Sequence, residues 1–360
     1  MKPEIRIPPG IIDPFCRAHR QPTRFILGPG RYYTEGGWAF DKAYDHCVLA
    51  PGCELVGAGS GETSLTFTES AVPANALQNE VLTAGARNGE SYETRISGLT
   101  VDVSWTRRPT VGIHVWGYGV RIHDVLVDGV VGNRTVAEGF GILVNQPKRV
   151  SSGYEPGADI SDATVRAVGG SGENYVCGLY VGYAAASGRH PSSVRRARLV
   201  STSTAHAAFA ANREVTFSEC STAGPWNHGF FCDTGGGSRV LLIGCDIEAQ
   251  YAALALRARE DWDQIVVSQS QLALTGCAED HVVGLVIEDT NPGRATANFT
   301  GIRFVQCGIH NRSGKTAYVG SLAASRVARC GIPGESSVWT GAWSPAVIAN
   351  NLNPTPVWEG

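Results

Sequence analysis

Apolar and variable residues alternate along this chain with a period of two, in eight short segments that each open on a small residue. They are Gly112-Ile-His-Val-Trp, Gly141-Ile-Leu-Val-Asn, Gly178-Leu-Tyr-Val-Gly, Ala207-Ala-Phe-Ala-Ala, Gly229-Phe-Phe-Cys-Asp, Ala253-Leu-Ala-Leu-Arg, Gly284-Leu-Val-Ile-Glu and Thr316-Ala-Tyr-Val-Gly, spaced irregularly at about 22 to 37 residues. A second strand signal precedes most of them, at 96–99, 120–127, 194–200, 215–220, 240–245, 265–268 and 302–307. Period two means strand and argues against helical repeats. Two strands and variable turns per repeat describe a solenoid. The pattern therefore predicts an all-β chain wound as a right-handed parallel β-helix, one coil per repeat. Stacked coils lie about 4.8 Å apart, so residues distant in sequence become neighbours in columns.

The ends read differently. Asp13-Pro14 before Phe-Cys-Arg-Ala predicts a short N-terminal helical cap with Asp13 at the N-cap, covering the open end of the first coil within residues 1–22. Residues 23–330 form the solenoid, with early strands at Arg24-Phe-Ile-Leu, Cys47-Val-Leu and Glu54-Leu-Val. Residues 68–93 are polar and irregular and read as a loop leaving the coil, and 147–159 as the longest insertion. The tail, 331–360, breaks the pattern and is expected to cap the last coil or pack on its side. One elongated domain is expected, because each repeat contacts only its neighbours.

Two stretches carry a resemblance. Phe25-Ile-Leu-Gly-Pro-Gly-Arg-Tyr-Tyr, followed by Cys53-Glu-Leu-Val-Gly-Ala-Gly-Ser-Gly-Glu-Thr-Ser-Leu-Thr-Phe, resembles the opening of pectate-lyase-like right-handed β-helix proteins, with their Pro-Gly-x-Tyr and Gly-x-Gly turns. The resemblance implies architecture, and an active site on the outer face of one strand ladder and its neighbouring loops. The Asn-Thr-Asp, Asp-Asp and Arg-Ile-Lys signatures of polygalacturonases are absent, as is the Arg-x-x-Arg-x-x-Pro signature of calcium-dependent pectate lyases.

Composition narrows the partners. A net charge of -3 argues against nucleic acid, and no apolar run is long enough to span a bilayer. The opening ten residues lack the apolar core of a signal peptide, which places the protein in the cytoplasm, or outside the cell if a leader was removed. Cys220, Cys245 and Cys307 follow their strands at one spacing and read as a ladder of small apolar residues inside the coil, unpaired in a reducing compartment. No metal and no cofactor are expected, since no Cys-x-x-Cys or His-rich spacing occurs. Nothing decides between a monomer and a homo-oligomer.

With the regular apolar positions turned inward, the residues between them form two outward columns. One is aromatic and apolar: His114, Leu143, Tyr180, Phe209, Phe231, Ala255, Val286, Tyr318. The other is Trp116, Asn145, Gly182, Ala211, Asp233, Arg257, Glu288, Gly320. The first is a platform for a flat ligand, or else a strip that a loop or the tail covers. In the second, Asp233, Arg257 and Glu288 fall on three successive coils. They make either a surface ion-pair ladder worth little energy or a catalytic centre. A guanidinium between two carboxylates keeps both ionised, which opposes the protonated acid a hydrolase needs. It suits a lyase or epimerase, where a cation neutralises the substrate carboxylate and a base removes the adjacent proton. His228, just ahead of Asp233, is the expected base, and Asp233, Arg257 and Glu288 its catalytic partners. Expected substrate contacts are His114, Trp116, Asn145, Tyr180, Phe209, Phe231, Arg213 and Tyr318, with His114 and Tyr180 as reserve acid/base groups.

The expected function is a carbohydrate-active enzyme, a lyase, epimerase or hydrolase, acting on an acidic oligo- or polysaccharide. Two rivals stand beside it: an intracellular cyclase or isomerase of a small hydrophobic biosynthetic metabolite using the same face, and a non-catalytic glycan-binding spike.

Overall fold

The computed structural model of the chain describes residues 2–34, 37–38, 48–67, 79–85, 93–106, 109–132, 138–146, 157–167, 175–183, 191–211, 214–234 and 239–250, and beyond these 252–258, 264–268, 270–274, 285–289, 303–305 and 326–328. The expected strands at 316–320, the Cys307 rung and the tail lie outside the described residues, as does most of 147–159. The chain divides into two compact units, Met1–His206 and Ala207–Gly360. Among the described residues, no helix is long and apolar enough to cross a membrane.

The fold is all-β, a parallel β-helix with one short helix at its start. In the first unit, Arg24–Leu27, Glu54–Val56, Arg95–Asp102, Arg121–Val130, Asp159–Ala167 and Ser192–Arg195 stack in parallel. Their register sets Phe25, Leu55, Ile96, Ile122, Ile160 and Val194 in one column, each fully buried. Period-two alternation turns such a column inward on every coil. Burying six large side chains at about 1.5–3 kcal/mol each supplies a large part of the driving force.

A second parallel ladder faces the first: Asn79–Gly85, Thr110–Trp116, Gly139–Gln146 and Val176–Tyr183. The small residue opening the repeats has a steric cause here. A Cβ on Gly112 would lie 2.3 Å from Val127 Cγ1 of the opposite ladder, and one on Gly141 would lie 2.4 Å from Val165 Cγ1. At these two glycines the opposite ladder leaves no room for a side chain.

Asn79–Gly85 corrects the reading of 68–93 as a loop outside the coil: it is the first full strand of this ladder. Its Val81 stands beside the rung position of Gly112, so the small residue that marks the other repeats is missing there. Asp159–Ala167 was likewise hidden behind the insertion.

Four successive coils also bend at one repeated place. Gly98, Asp124, Asp162 and Arg196 occupy equivalent positions in the first ladder, and all have positive φ, from 49° to 66°. Three of the four are not glycine, so charged residues accept the left-handed conformation at the bend. Asp162 receives two hydrogen bonds from the Arg196 guanidinium, at 2.6 and 2.8 Å, and lies 3.2 Å from His123 Nδ1. These groups are a third to a half exposed, and the set reads as a surface ion-pair ladder.

The cap helix is Asp13–Ala18, as expected in place but not in capping: Ile12 occupies the cap position and Asp13, buried, is the first helical residue. The segment expected as a Pro-Gly-x-Tyr turn continues into a strand, Gly30–Thr34, paired with Thr63–Phe67.

The second unit repeats the plan. Val215–Ser218, Arg239–Ile243 and Gln264–Ser268 stack in one ladder, and Trp226–Thr234, Ala252–Ala258 and Leu285–Asp289 in the other. The bend recurs at Glu219 (φ 54°) and Gly244 (φ 62°). Cys220 and Cys245 follow it on adjacent coils, both buried and neither in a disulfide, as the strand spacing predicts.

Candidate functional site

In the first unit, the second ladder separates its two faces cleanly. Leu82, Ile113, Ile142 and Leu179 share one inward column and Ala84, Val115, Val144 and Val181 the next, all fully buried. The alternate positions face outward as the sequence columns predict: Thr83, His114, Leu143 and Tyr180 in register, then Trp116, Asn145 and Gly182.

The outward strip is not an open platform along its first coils. His114 is only 3% exposed and Leu143 8%, whereas Trp116, Asn145 and Tyr180 remain half-buried. Tyr180 lies along its own strand. A Cβ on Gly182 would meet the Tyr180 ring at 2.2 Å, and Phe140 meets that ring edge-on at 6.1 Å.

The covered part holds a polar group. His114 Nδ1 lies 2.8 Å from Glu80 Oε1, Thr83 donates to Glu80 Oε2 at 2.9 Å, and the Asn145 amide lies 3.0 Å from His114 Nε2. The Trp116 ring sits 4.8 Å from the imidazole, tilted 40°. Burial pushes the Glu80 carboxyl upward, but the neighbouring imidazole and the Thr83 hydroxyl outweigh it and hold the group below its ordinary range. Glu80 escaped sequence reasoning because its strand was taken as a loop. The alternating run Val81-Leu-Thr-Ala was the available signal.

A second titratable cluster lies at the start of the same strands. Half-buried Glu138 immediately precedes Gly139–Gln146, and burial pushes its carboxyl up to about 8. It also adds to the upward push that burial gives the Cys177 thiol. Tyr175, which accepts a hydrogen bond from Gly139 N, stacks on His206 at 4.4 Å. No motif flagged Glu138, because its property comes from burial alone.

In the second unit, the charged column stands in the expected register: Asp233 pairs with Arg257, and Arg257 with Glu288, on three successive strands. Phe231 heads the neighbouring column with Ala255 and Val286.

Two groupings change. Phe209 is not a surface residue: it is fully buried, its ring edge-on to Phe217 at 5.4 Å, and Phe217 in turn edge-on to Phe230 at 4.8 Å. Its strand, Ala205–Ala211, carries small residues in both phases, so alternation does not tell which face points in. His228 does not adjoin Asp233 in space. Both belong to the strand Trp226–Thr234, and five extended residues set them roughly 16 Å apart. His228 is buried against Phe231 instead, ring centroids 5.4 Å apart. Arg213 and Tyr318 lie outside the described residues. Among the described residues, no group of three His, Cys, Asp or Glu side chains is placed to hold a metal ion.

No family model matches the chain, and no curated protein matches it. Solved structures do. The A-module of mannuronan C-5 epimerase AlgE4 from Azotobacter vinelandii is 14% identical over 84% of this chain and 82% of that one, with a TM-score of 0.43. The catalytic domain of a GH87 α-1,3-glucanase in complex with nigerose is 13% identical over 99% of this chain and 68% of that one, with a TM-score of 0.47. A variant of that domain in complex with tetrasaccharides is 15% identical over the same shares, also at 0.47. At these values neither likeness assigns a substrate or a reaction to this chain.

Proposed function

We propose that the chain is a carbohydrate-active enzyme working on an acidic oligo- or polysaccharide, with Asp233, Arg257 and Glu288 as its charged centre. The observation that supports this reading is their register: a cationic residue one strand spacing from each of two acidic residues, on three successive strands. A uronate substrate brings a carboxylate that must be neutralised before its adjacent proton becomes acidic enough to remove, and a guanidinium suits that task. An arginine beside an acidic residue in general favours the acid's ionised form, which accepts protons. Hydrolysis needs one of the two acids protonated. Proton abstraction, leading to elimination or epimerisation, therefore fits the column better than hydrolysis does.

The test is the full chain incubated with polymers of uronic acids, with three readouts: ultraviolet absorbance of unsaturated products, solvent deuterium incorporated into the polymer, and new reducing ends. Elimination or deuterium uptake is expected. Arg257→Ala should reduce it by about 10²–10³-fold, the usual cost of removing one preorganised electrostatic stabiliser. Silence in all three readouts, or full activity in Arg257→Ala, refutes the reading.

One observation favours the metabolite reading as the alternative. His114 and Leu143 are covered, and a closed face suits a small ligand better than a polymer. Turnover of monomeric but not polymeric substrates would select it.

A further inference from the structure

A carboxylate and an imidazole buried together on the outward side of a sheet are costly to keep. Leu143 occupies the next rung of the same column, so an aliphatic residue fits this face. Replacing a buried ion pair by packed apolar residues is often neutral or stabilising. Glu80 and His114 are nonetheless more than nine-tenths buried, with side-chain exposures of 8% and 4%.

Their hydrogen bonds point in one direction. An ionised Glu80 accepts at Oε1, so His114 Nδ1 donates its proton there over 2.8 Å. With the Asn145 amide nitrogen as the donor over 3.0 Å, Nε2 accepts and carries a lone pair. In that arrangement the imidazole is the Nδ1–H tautomer, its basic nitrogen facing Asn145. Thr83 satisfies the second oxygen of Glu80 and holds the carboxylate in place. The half-buried ring of Trp116 stands 4.8 Å from the imidazole and offers an apolar face beside it. A flat aromatic face of this kind is one on which a sugar ring can rest.

We propose that Glu80 and His114 form an acid–base pair serving a saccharide unit held against Trp116, with Asn145 occupying Nε2 until the ligand takes its place. Glu80 is the positioning residue and His114 the catalytic one. The ligand class rests on the carbohydrate reading above; the pair itself does not. In the step, the Nε2 lone pair takes a proton from a ligand hydroxyl and the ligand oxygen keeps the bonding electrons. The resulting imidazolium stays bonded through Nδ1–H to Glu80. The proton returns from Nε2 to that oxygen before the ligand leaves, so the step is a reversible proton transfer and no other reactant is needed.

The experiment uses the full chain, with ¹⁵N-labelled histidine and diethyl pyrocarbonate as a probe of Nε2, read by peptide mapping at His114. At neutral pH the wild type should show Nδ1 protonated and Nε2 bare, and Glu80→Gln should admit the other tautomer. Asn145→Ala should raise carbethoxylation of His114 about tenfold, the equivalent of one neutral hydrogen bond. Galacturonate oligosaccharides should protect His114 from the probe. The proposal is overturned if both ring nitrogens of the wild type stay protonated across neutral pH, which marks a static ion pair, or if Asn145→Ala leaves the reactivity unchanged. The nitrogen signals need no variant, so a Glu80→Gln protein that fails to fold does not blunt the test. Nitrogen signals and reactivity as expected, without protection by the oligosaccharides, would uphold the pair and overturn the saccharide as its ligand.

Discussion

Glu138 makes the chain less stable as pH rises through neutrality. Its carboxyl has an ordinary value near 4.5 and is pushed up to about 8 by burial. The folded chain therefore keeps this proton to a higher pH than the unfolded chain does. Between those two values folding takes up a proton, and each pH unit gained favours the unfolded chain by up to ~1.36 kcal/mol. From pH 5 to pH 8 the ceiling is about 4 kcal/mol. Glu138 is only half-buried, so water reached on slight opening lowers this, and about 1–2 kcal/mol is the expected loss. The stabilisation is fully present below the unfolded value and is gone once pH has risen through the folded one. Glu138→Gln keeps the shape of the protonated acid and removes the titration. Urea unfolding of both proteins at pH 5, 6.5 and 8 gives the measurement, and carbon NMR of the Glu138 carboxyl gives the titration directly. The wild type should lose stability relative to Glu138→Gln across this interval. Parallel curves, or a wild type that gains on the variant with rising pH, would refute the burial argument.

Glu80 has the opposite sign. Its carboxyl is held low in the folded chain, so its contribution is present above the ordinary carboxylate range and lost as pH falls through the folded value; Glu80→Gln should be less stable than wild type at neutral pH and converge with it in acid unfolding. Gly141→Ala should cost about 2–3 kcal/mol, because its Cβ would fall 2.4 Å from both Val165 Cγ1 and the Gly178 carbonyl, whereas Gly61→Ala, with nothing within 4 Å, should stay within about 0.5 kcal/mol of wild type in thermal melts. Gly98 and Gly244 both have positive φ, yet only one tolerates a left-handed asparagine: Gly98→Asn meets the Gly57 carbonyl at 2.8 Å and should lose about 1–3 kcal/mol, while Gly244→Asn, whose nearest neighbour is Glu219 Cγ at 4.0 Å, should be nearly neutral by urea midpoint. Equal losses at both would mean that backbone conformation, not space, governs the bend.

The strand phases, the parallel stacking and the Asp233–Arg257–Glu288 register were all legible in the residues, because period two and a fixed rung spacing are local rules repeated on each coil. They failed where the local signal was silent. Ala205–Ala211 is small in both phases, so nothing but the packing of Phe209 on Phe217 decides which face is inside. Asn79–Gly85 lacks the opening small residue, so Glu80 was invisible until its strand paired with Thr110–Trp116. The placing of His228 beside Asp233 mistook closeness in sequence for closeness in space, which an extended strand denies.

Alternation and spacing alone thus determine that this chain coils, which side chains line the columns wherever the two phases differ, and which charges stand on successive rungs. Tertiary structure alone decides what each column meets across the coil and what covers it outside. That is why the small residues at Gly112 and Gly141, the upward-shifted carboxyl of Glu138 and the Glu80–His114 contact could be understood only in three dimensions: each depends on how near an opposing or covering segment comes, and one sequence read by itself carries no measure of that distance.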